Sequence, residues 1–162
     1  MSQEQTSIKA KKKKYMTLTL GPERFAIPLS VVKEVIGLTR ITPVPEMPSY
    51  FRGLINLRGK VISTVDLRDK LGLHIPEQAT KPCIVICDIG DITLGTIVDE
   101  VNEVCSWDAE QIEADLNLES SVAKSYLEGV AKFQDKPMTL ILNLEKVLRS
   151  QEIEAFAKNQ AA

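Results

Sequence analysis

Residues 51–67 read FRGLINLRGKVISTVDL, and residues 126–144 read YLEGVAKFQDKPMTLILNL. The first is a pair of apolar strands, GLINLR and KVISTVDL, joined at Arg58-Gly59-Lys60, which is a hairpin signature. The second has the same design. When Tyr50-Phe51-Arg52-Gly53-Leu54 is set on Tyr126-Leu127-Glu128-Gly129-Val130, 76 residues on, Lys60 falls on Lys136, Ile62 on Met138 and Val65 on Ile141. One slip later, Asp66-Leu67 lies on Asn143-Leu144, and each leads into a helix-like tail. Upstream, Val32, Glu34 and Val35 echo Val101, Glu103 and Val104. So long a period exceeds that of solenoid repeats. It implies two copies of one small barrel, each too small to bury much surface alone. Packed together they share a second apolar seam, and the cleft between them is a natural binding place.

The rest of the chain fits short strands. MTLTL alternates, with Met16, Leu18 and Leu20 on one face and Thr17 and Thr19 on the other, which predicts a half-buried strand. Gly21-Pro22 turns the chain into RFAIPL, where Phe25, Ile27 and Leu29 face together. Ser30 is placed to cap a helical turn over 31–34. Pro43, Pro45 and Pro48 exclude a central strand, because proline donates no ladder hydrogen bond. PCIVIC and DITLGTIVDEV form a hairpin about Gly90-Asp91, and VNEVCSW continues as strand. Residues 108–125 read as a partly helical excursion, and the chain closes in a helix with Leu144, Val147, Leu148 and Phe156 near one side. The expectation is an all-β fold with short helices. The divisions are a disordered Lys-rich leader over 1–13, a folded body over 14–150 and a helical tail over 151–162. Within the body, barrel one spans roughly 20–80 and barrel two roughly 81–150, with the first strand able to serve either.

Composition narrows the function. Acidic and basic residues nearly balance, at net −2, so no basic face for nucleic acid is expected. No apolar run reaches the roughly 18 residues of a membrane span, and the lysines at 9 and 11–14 read as a solvated tail. Cys83, Cys87 and Cys105 read as free thiols in a reducing cytoplasm. His74 is the only histidine and lies in a loop, so a nucleophile has a single candidate base. Adjacent strand carboxylates such as Asp99-Glu100 point to opposite faces. No catalytic residue, cofactor or metal site is expected, and a thiol-dependent enzyme is the competing reading. What remains is an interaction module. Arg58, at a strand end beside Gly59, is suited to a bidentate grip on a carboxylate, and Glu34 is its plausible partner.

The run NLRGKVISTVDLRDKLGL over 56–73, with FAIPLSVVKEVI before it, closely resembles the CheW family of bacterial chemotaxis coupling proteins. The likeness covers about residues 15–150. It rests on Gly53-x-x-Asn56-Leu57-Arg58-Gly59 with Val65-Asp66-Leu67, and on Gly95-x-x-Val98-Asp99-x-Val101. The resemblance implies two SH3-like five-stranded barrels related by a pseudo-twofold axis. It also implies an adaptor without chemistry of its own, joining the cytoplasmic tips of chemoreceptors to the regulatory domain of a CheA-type histidine kinase. It is expected in the cytoplasm, a monomer by itself, within membrane-anchored receptor arrays but not inserted in the membrane. A coupler for a pilus-driven or other pathway is an alternative. By position, Val32, Glu34, Asn56, Arg58, Val98, Val101 and Val104 match a receptor-binding groove or its support, and Ile36, Leu38, Ile41, Leu116 and Leu118 are candidates for the kinase faces. Two positions depart from the family pattern: Ser63 stands where proline is usual, and Asp99-Glu100 replaces a more usual Asp-Gly.

Overall fold

The structure is a computed structural model that describes residues 12–75, 81–114, 124–133, 136–148, 153 and 155. Its strands are β1 (Lys13–Leu20), β2 (Glu23–Pro28), β3 (Val32–Gly37), β4 (Phe51–Leu57), β5 (Lys60–Asp66), β6 (Cys83–Ile89), β7 (Ile92–Val98), β8 (Glu100–Trp107), β9 (Ile112–Glu113), β10 (Leu127–Phe133) and β11 (Lys136–Leu142). Short helices α1 (Leu67–Lys70) and α2 (Leu144–Leu148) follow β5 and β11. The strands form a six-stranded sheet in the order β8-β1-β2-β11-β10-β9 and a five-stranded sheet in the order β3-β6-β7-β5-β4. The fold is all-β, as its alternating short strands predict.

The repeat is visible in the hydrogen bonds. Asp66 donates its N–H to Tyr50 O at 2.7 Å, and Asn143 donates to Tyr126 O at 2.7 Å. Each sheet holds one parallel contact, β5 on β7 and β11 on β2. Val35 pairs with Val85 as Val104 pairs with Met16, and Val32 with Cys87 as Val101 with Leu18. The slip noted between the hairpins is real: Leu54 lies across from Ser63, whereas Val130 lies across from Leu140, so β11 runs one residue further along than the offset of β10.

The two lobes do not follow a boundary at residue 80. The hairpin β6–β7, which sequence assigns to the second barrel, completes the sheet of β3, β4 and β5, while the hairpin β1–β2 joins β8, β10 and β11. Each repeat thus lends its first hairpin to the other. The crossovers are short: β2 passes to β3 through the 3-10 turn Leu29–Val31, and β7 to β8 through Asp99 alone, and at each the next strand pairs in the other sheet.

Beyond β3 the chain curls round to meet the far edge of its sheet. Thr42 and Leu54 exchange both backbone hydrogen bonds at 2.8 Å, closing the five-stranded lobe. The equivalent seam in the other lobe is β9 on β10, with Glu113 opposite Val130. Glycine is required at both seams. A Cβ on Gly53, whose φ is +139°, would lie 2.2 Å from Thr42 O, and one on Gly129 would lie 2.6 Å from Ile112 Cγ2.

Three apolar clusters follow from this arrangement. Ile55, Ile62, Ile84, Ile86 and Ile97 fill the five-stranded lobe. Tyr15, Ala26, Trp107, Ala131 and Ile141 fill the six-stranded one, with Tyr15 and Trp107 stacked at 5.1 Å. The largest cluster lies between the lobes: Leu18, Leu20, Phe25 and Ile27 meet Val65, Leu67, Val85, Cys87 and Leu94, with Val147 and Leu148 of α2. Lying between sheet partners and covered on both faces, β1 buries Thr17 completely, so it is not the half-exposed strand its alternation predicts. Thr17 Oγ1 donates to Glu103 O and accepts from Glu103 N–H, both at 3.1 Å, which satisfies its hydroxyl. The expected helical turn over 31–34 falls earlier, as a 3-10 turn over Leu29–Val31 with no side-chain cap from Ser30. Phe156 lies outside the described residues, as do residues 1–11 of the leader expected over 1–13, whereas Lys13 already begins β1, opposite Trp107.

Candidate functional site

The β4–β5 hairpin turns on two residues, Arg58 at φ 51° and Gly59 at φ 86°, with Leu57 paired to Lys60. This is the two-residue hairpin geometry in which both central residues are left-handed. Glycine adopts it freely, whereas an arginine there is strained by contact of its Cβ with its own backbone. Asn56 Oδ1 accepts the Gly59 N–H at 2.9 Å and steadies the turn. The strained position throws the guanidinium across to β3, where Arg58 Nη1 donates to Glu34 Oε2 at 3.3 Å and Nη2 to Oε1. The bidentate pair expected from the sequence is therefore formed. The hydrogen bond from Arg58 holds the Glu34 carboxyl below its ordinary range, and the same bond raises Arg58.

The Arg58 side chain is 68% exposed, so solvent screens the pair and it adds little to stability. Its value is positional. It fixes a charged group at the end of the β4–β5 hairpin; Val35, next to Glu34 along β3, and Val61, paired with Asn56, are also exposed.

The symmetry-related place on the six-stranded sheet carries a different pair. Glu103, equivalent to Glu34, accepts from Arg24 Nη2 at 2.7 Å, beside exposed Val104. Val32 and Val101 occupy matching positions, half-buried against the inter-lobe cluster. Val98 is fully buried in that cluster and can support the surface but not touch a partner.

Of the candidates for the second kind of face, Leu38 is 52% exposed. Ile36 and Ile41 instead are partly buried against the isoleucine cluster of the five-stranded lobe, Ile36 from within β3 and Ile41 next to the Thr42–Leu54 bridge. Leu116 and Leu118 lie outside the described residues.

The sequence reading missed a buried ion cluster. Arg68 Nε and Nη2 donate to Asp66 at 2.9 and 2.8 Å, and Nη1 donates to Asp99 Oδ1 at 2.6 Å. Arg52 adds a second cation, with Nη2 at 3.2 Å from Asp66 Oδ2. Asp66 also caps α1 by accepting the Arg68 and Asp69 N–H groups. Burial pushes the Asp66 carboxyl up, but the hydrogen bonds and charges of Arg68 and Arg52 prevail and hold it low. Arg68 is raised, chiefly by its hydrogen bond to Asp66. Asp66 and Asp99 both stand in the motifs noted above. The signal that could have joined them is Arg68, an arginine in the first turn of a helix whose burial no pattern of apolar spacing reveals.

Two of the thiols, Cys87 and Cys83, are shifted toward the protonated form. Burial pushes Cys87 up to about 12, against a hydrogen bond with Thr96, and burial likewise raises Cys83. A nucleophilic thiol requires the opposite shift.

Comparison with known proteins agrees with this geometry. A family model described as CheW-like domain matches residues 14–152. A chemotaxis protein CheW of Bacillus subtilis (strain 168) is 30% identical over 148 residues, 91% of this chain and 94% of that protein. One of Rhizobium meliloti (strain 1021) is 29% identical over 136 residues, 84% and 87% of the two chains. Among solved structures, the scaffolding protein TtCheW from Thermoanaerobacter tengcongensis superposes with a TM-score of 0.77 at 32% identity, covering 87% of this chain and 90% of that one.

Proposed function

Because this chain belongs to the CheW-like domain family and is a chemotaxis coupling adaptor, we propose that it holds the cytoplasmic tips of chemoreceptors against the regulatory domain of a CheA-type histidine kinase, and that it does so without catalysing a reaction. The observation that carries this reading is the Arg58–Glu34 pair: a strained turn presents a fixed charge on an exposed rim, where it contributes little to the fold. Strain of this kind persists where a position serves binding.

The receptor face comprises Glu34, Asn56 and Arg58 with Val101 and Val104, and Val32 and Val98 support it from below. Leu38 is the exposed member of the kinase face. A receptor helix would lay apolar side chains on the valines while a carboxylate met the guanidinium. Each well-buried valine contributes roughly 1.5–3 kcal/mol before ordering costs. The location that follows is the cytoplasm, at receptor arrays.

Reconstitution tests the reading. The purified protein is added to receptor-bearing vesicles and the kinase, and receptor-dependent phosphotransfer is measured. Activation that needs all three components supports it. Receptor control that is equally strong without this protein overturns it.

A further inference from the structure

The chain crosses between sheets twice, once from β2 to β3 at Ser30 and once from β7 to β8 at Asp99. Symmetry makes these two places equivalent, yet they are built differently. At the second crossover Asp99 is fully engaged. Its Oδ1 accepts from Arg68 Nη1 at 2.6 Å, its Oδ2 accepts the Gly21 N–H at 2.5 Å, and its own N–H donates to Thr19 O at 3.1 Å. Arg68 and Asp66 belong to the five-stranded lobe, whereas Gly21 and Thr19 belong to the β1–β2 hairpin of the other. The cluster therefore ties one lobe to the other through buried charge. At the first crossover the equivalents are Ser30, which is exposed, Asn143, which caps α2, and Glu145, also exposed. No ionic tie is formed there among the described residues.

We infer that Arg68 is a positioning residue: by bracing Asp99 against the β1–β2 turn it fixes the angle at which β8 leaves the five-stranded lobe, and so the spacing between the β3 rim that bears Glu34 and the β8 rim that bears Val104. Buried ion pairs contribute little net stability when compared with apolar replacements; the role of this cluster is geometric, since another arrangement of the lobes would leave Arg68 or a carboxylate unpaired. A purely apolar seam tolerates sliding more readily, since hydrophobic contact is not directional. The inference does not depend on which partners the protein binds.

The test measures the distance between the rims. Val35 and Val104 are exposed and are replaced by cysteine for spin labelling, in a background with Cys83→Ala and Cys105→Ala; Cys87 is buried and remains unlabelled. Pulsed electron resonance then gives the distribution of label separations. Arg68→Met alone strands two buried carboxylates and can prevent folding. The deciding variant therefore combines Arg68→Met, Asp66→Asn and Asp99→Asn, in which the asparagines can keep the backbone hydrogen bonds and no buried charge is stranded, the partly exposed Arg52 retaining Asp69. Native Trp107 fluorescence, from the core of the six-stranded lobe, confirms folding. The expected result is a distribution that shifts and broadens in the triple variant and is unchanged by Glu145→Ala at the equivalent place. A folded triple variant with the parental distribution overturns the inference. Failure of the triple variant to fold also overturns it, because the cluster would then be needed for the fold itself and not for its angle.

Discussion

Gly53 and Gly129 occupy the same place in the two lobes, each where the closing strand comes too near for any side chain. Their spacing in the sequence marks the repeat, and their shared surroundings show what the repeat preserves. Gly53→Ala combines a backbone conformation that L-residues avoid with a clash against Thr42 O. It is expected to destabilise the protein by at least about 1–3 kcal/mol, as strained backbone positions do. Gly59→Ala, with a positive φ but open space around it, should cost about 1 kcal/mol. Urea titration followed by Trp107 fluorescence ranks the two. Equal midpoints would show that the seam yields.

Arg58→Glu is expected to leave the unfolding midpoint near that of the parent, since the pair it breaks is exposed, and to abolish receptor-dependent kinase control. The double reversal Glu34→Arg with Arg58→Glu restores an ion pair without restoring the charge presented to a partner, and should remain uncoupled. Phosphotransfer in reconstituted vesicles checks both. Recovery of coupling in the double variant would locate the function in the pair itself.

Acid should act through Asp66. Its folded-state pKa lies below the unfolded value of about 3.9, because Arg68 and Arg52 prevail over the effect of burial. A depressed carboxylate contributes stability that is fully present above the unfolded pKa and is lost as pH falls through the folded one. Urea midpoints taken from pH 7 down to pH 2 should therefore fall steeply below about pH 4. Asp66→Asn should flatten that fall while lowering stability at neutral pH. An identical acid slope in the variant would assign the effect to other carboxylates.

Cys87 should resist alkylation in the native protein at pH 8, since burial in the inter-lobe cluster pushes its thiol up to about 12. Cys83, half-buried, should react faster, and urea should equalise the two. Mass spectrometry of peptides after timed iodoacetamide treatment reads the order. Native Cys87 that reacts as fast as denatured Cys87 would reopen the case for thiol chemistry.

The repeat, the all-β class and the hairpin at Arg58-Gly59 were legible because glycine turns and period-two alternation are local properties. The Arg58–Glu34 pair was legible for a similar reason: an arginine beside a turn glycine has few places to reach. The exchange of hairpins was not, because which strands pair is a long-range property, which alternation does not encode. Nor was the burial of Thr17, whose polar face is covered because β1 lies inside a sheet whose lobe is filled on that side by Tyr15 and Trp107. Ile36 and Ile41 read from the sequence as exposed apolar residues at a barrel end, because alternation alone does not say which face of a strand meets the core; Ile36 on β3 and Ile41 beside the Thr42–Leu54 bridge both pack on the isoleucine cluster.

The loan of one hairpin by each repeat has a consequence for synthesis. As the chain leaves the ribosome, β3 has no neighbour until β6 appears, and β5 waits for β7 to cover its outer edge. The earlier hairpin β1–β2 in turn waits for β8 and β11. Neither barrel can mature as an independent fragment from one half of the gene. The nascent protein must keep open strand edges apart until its last third has emerged.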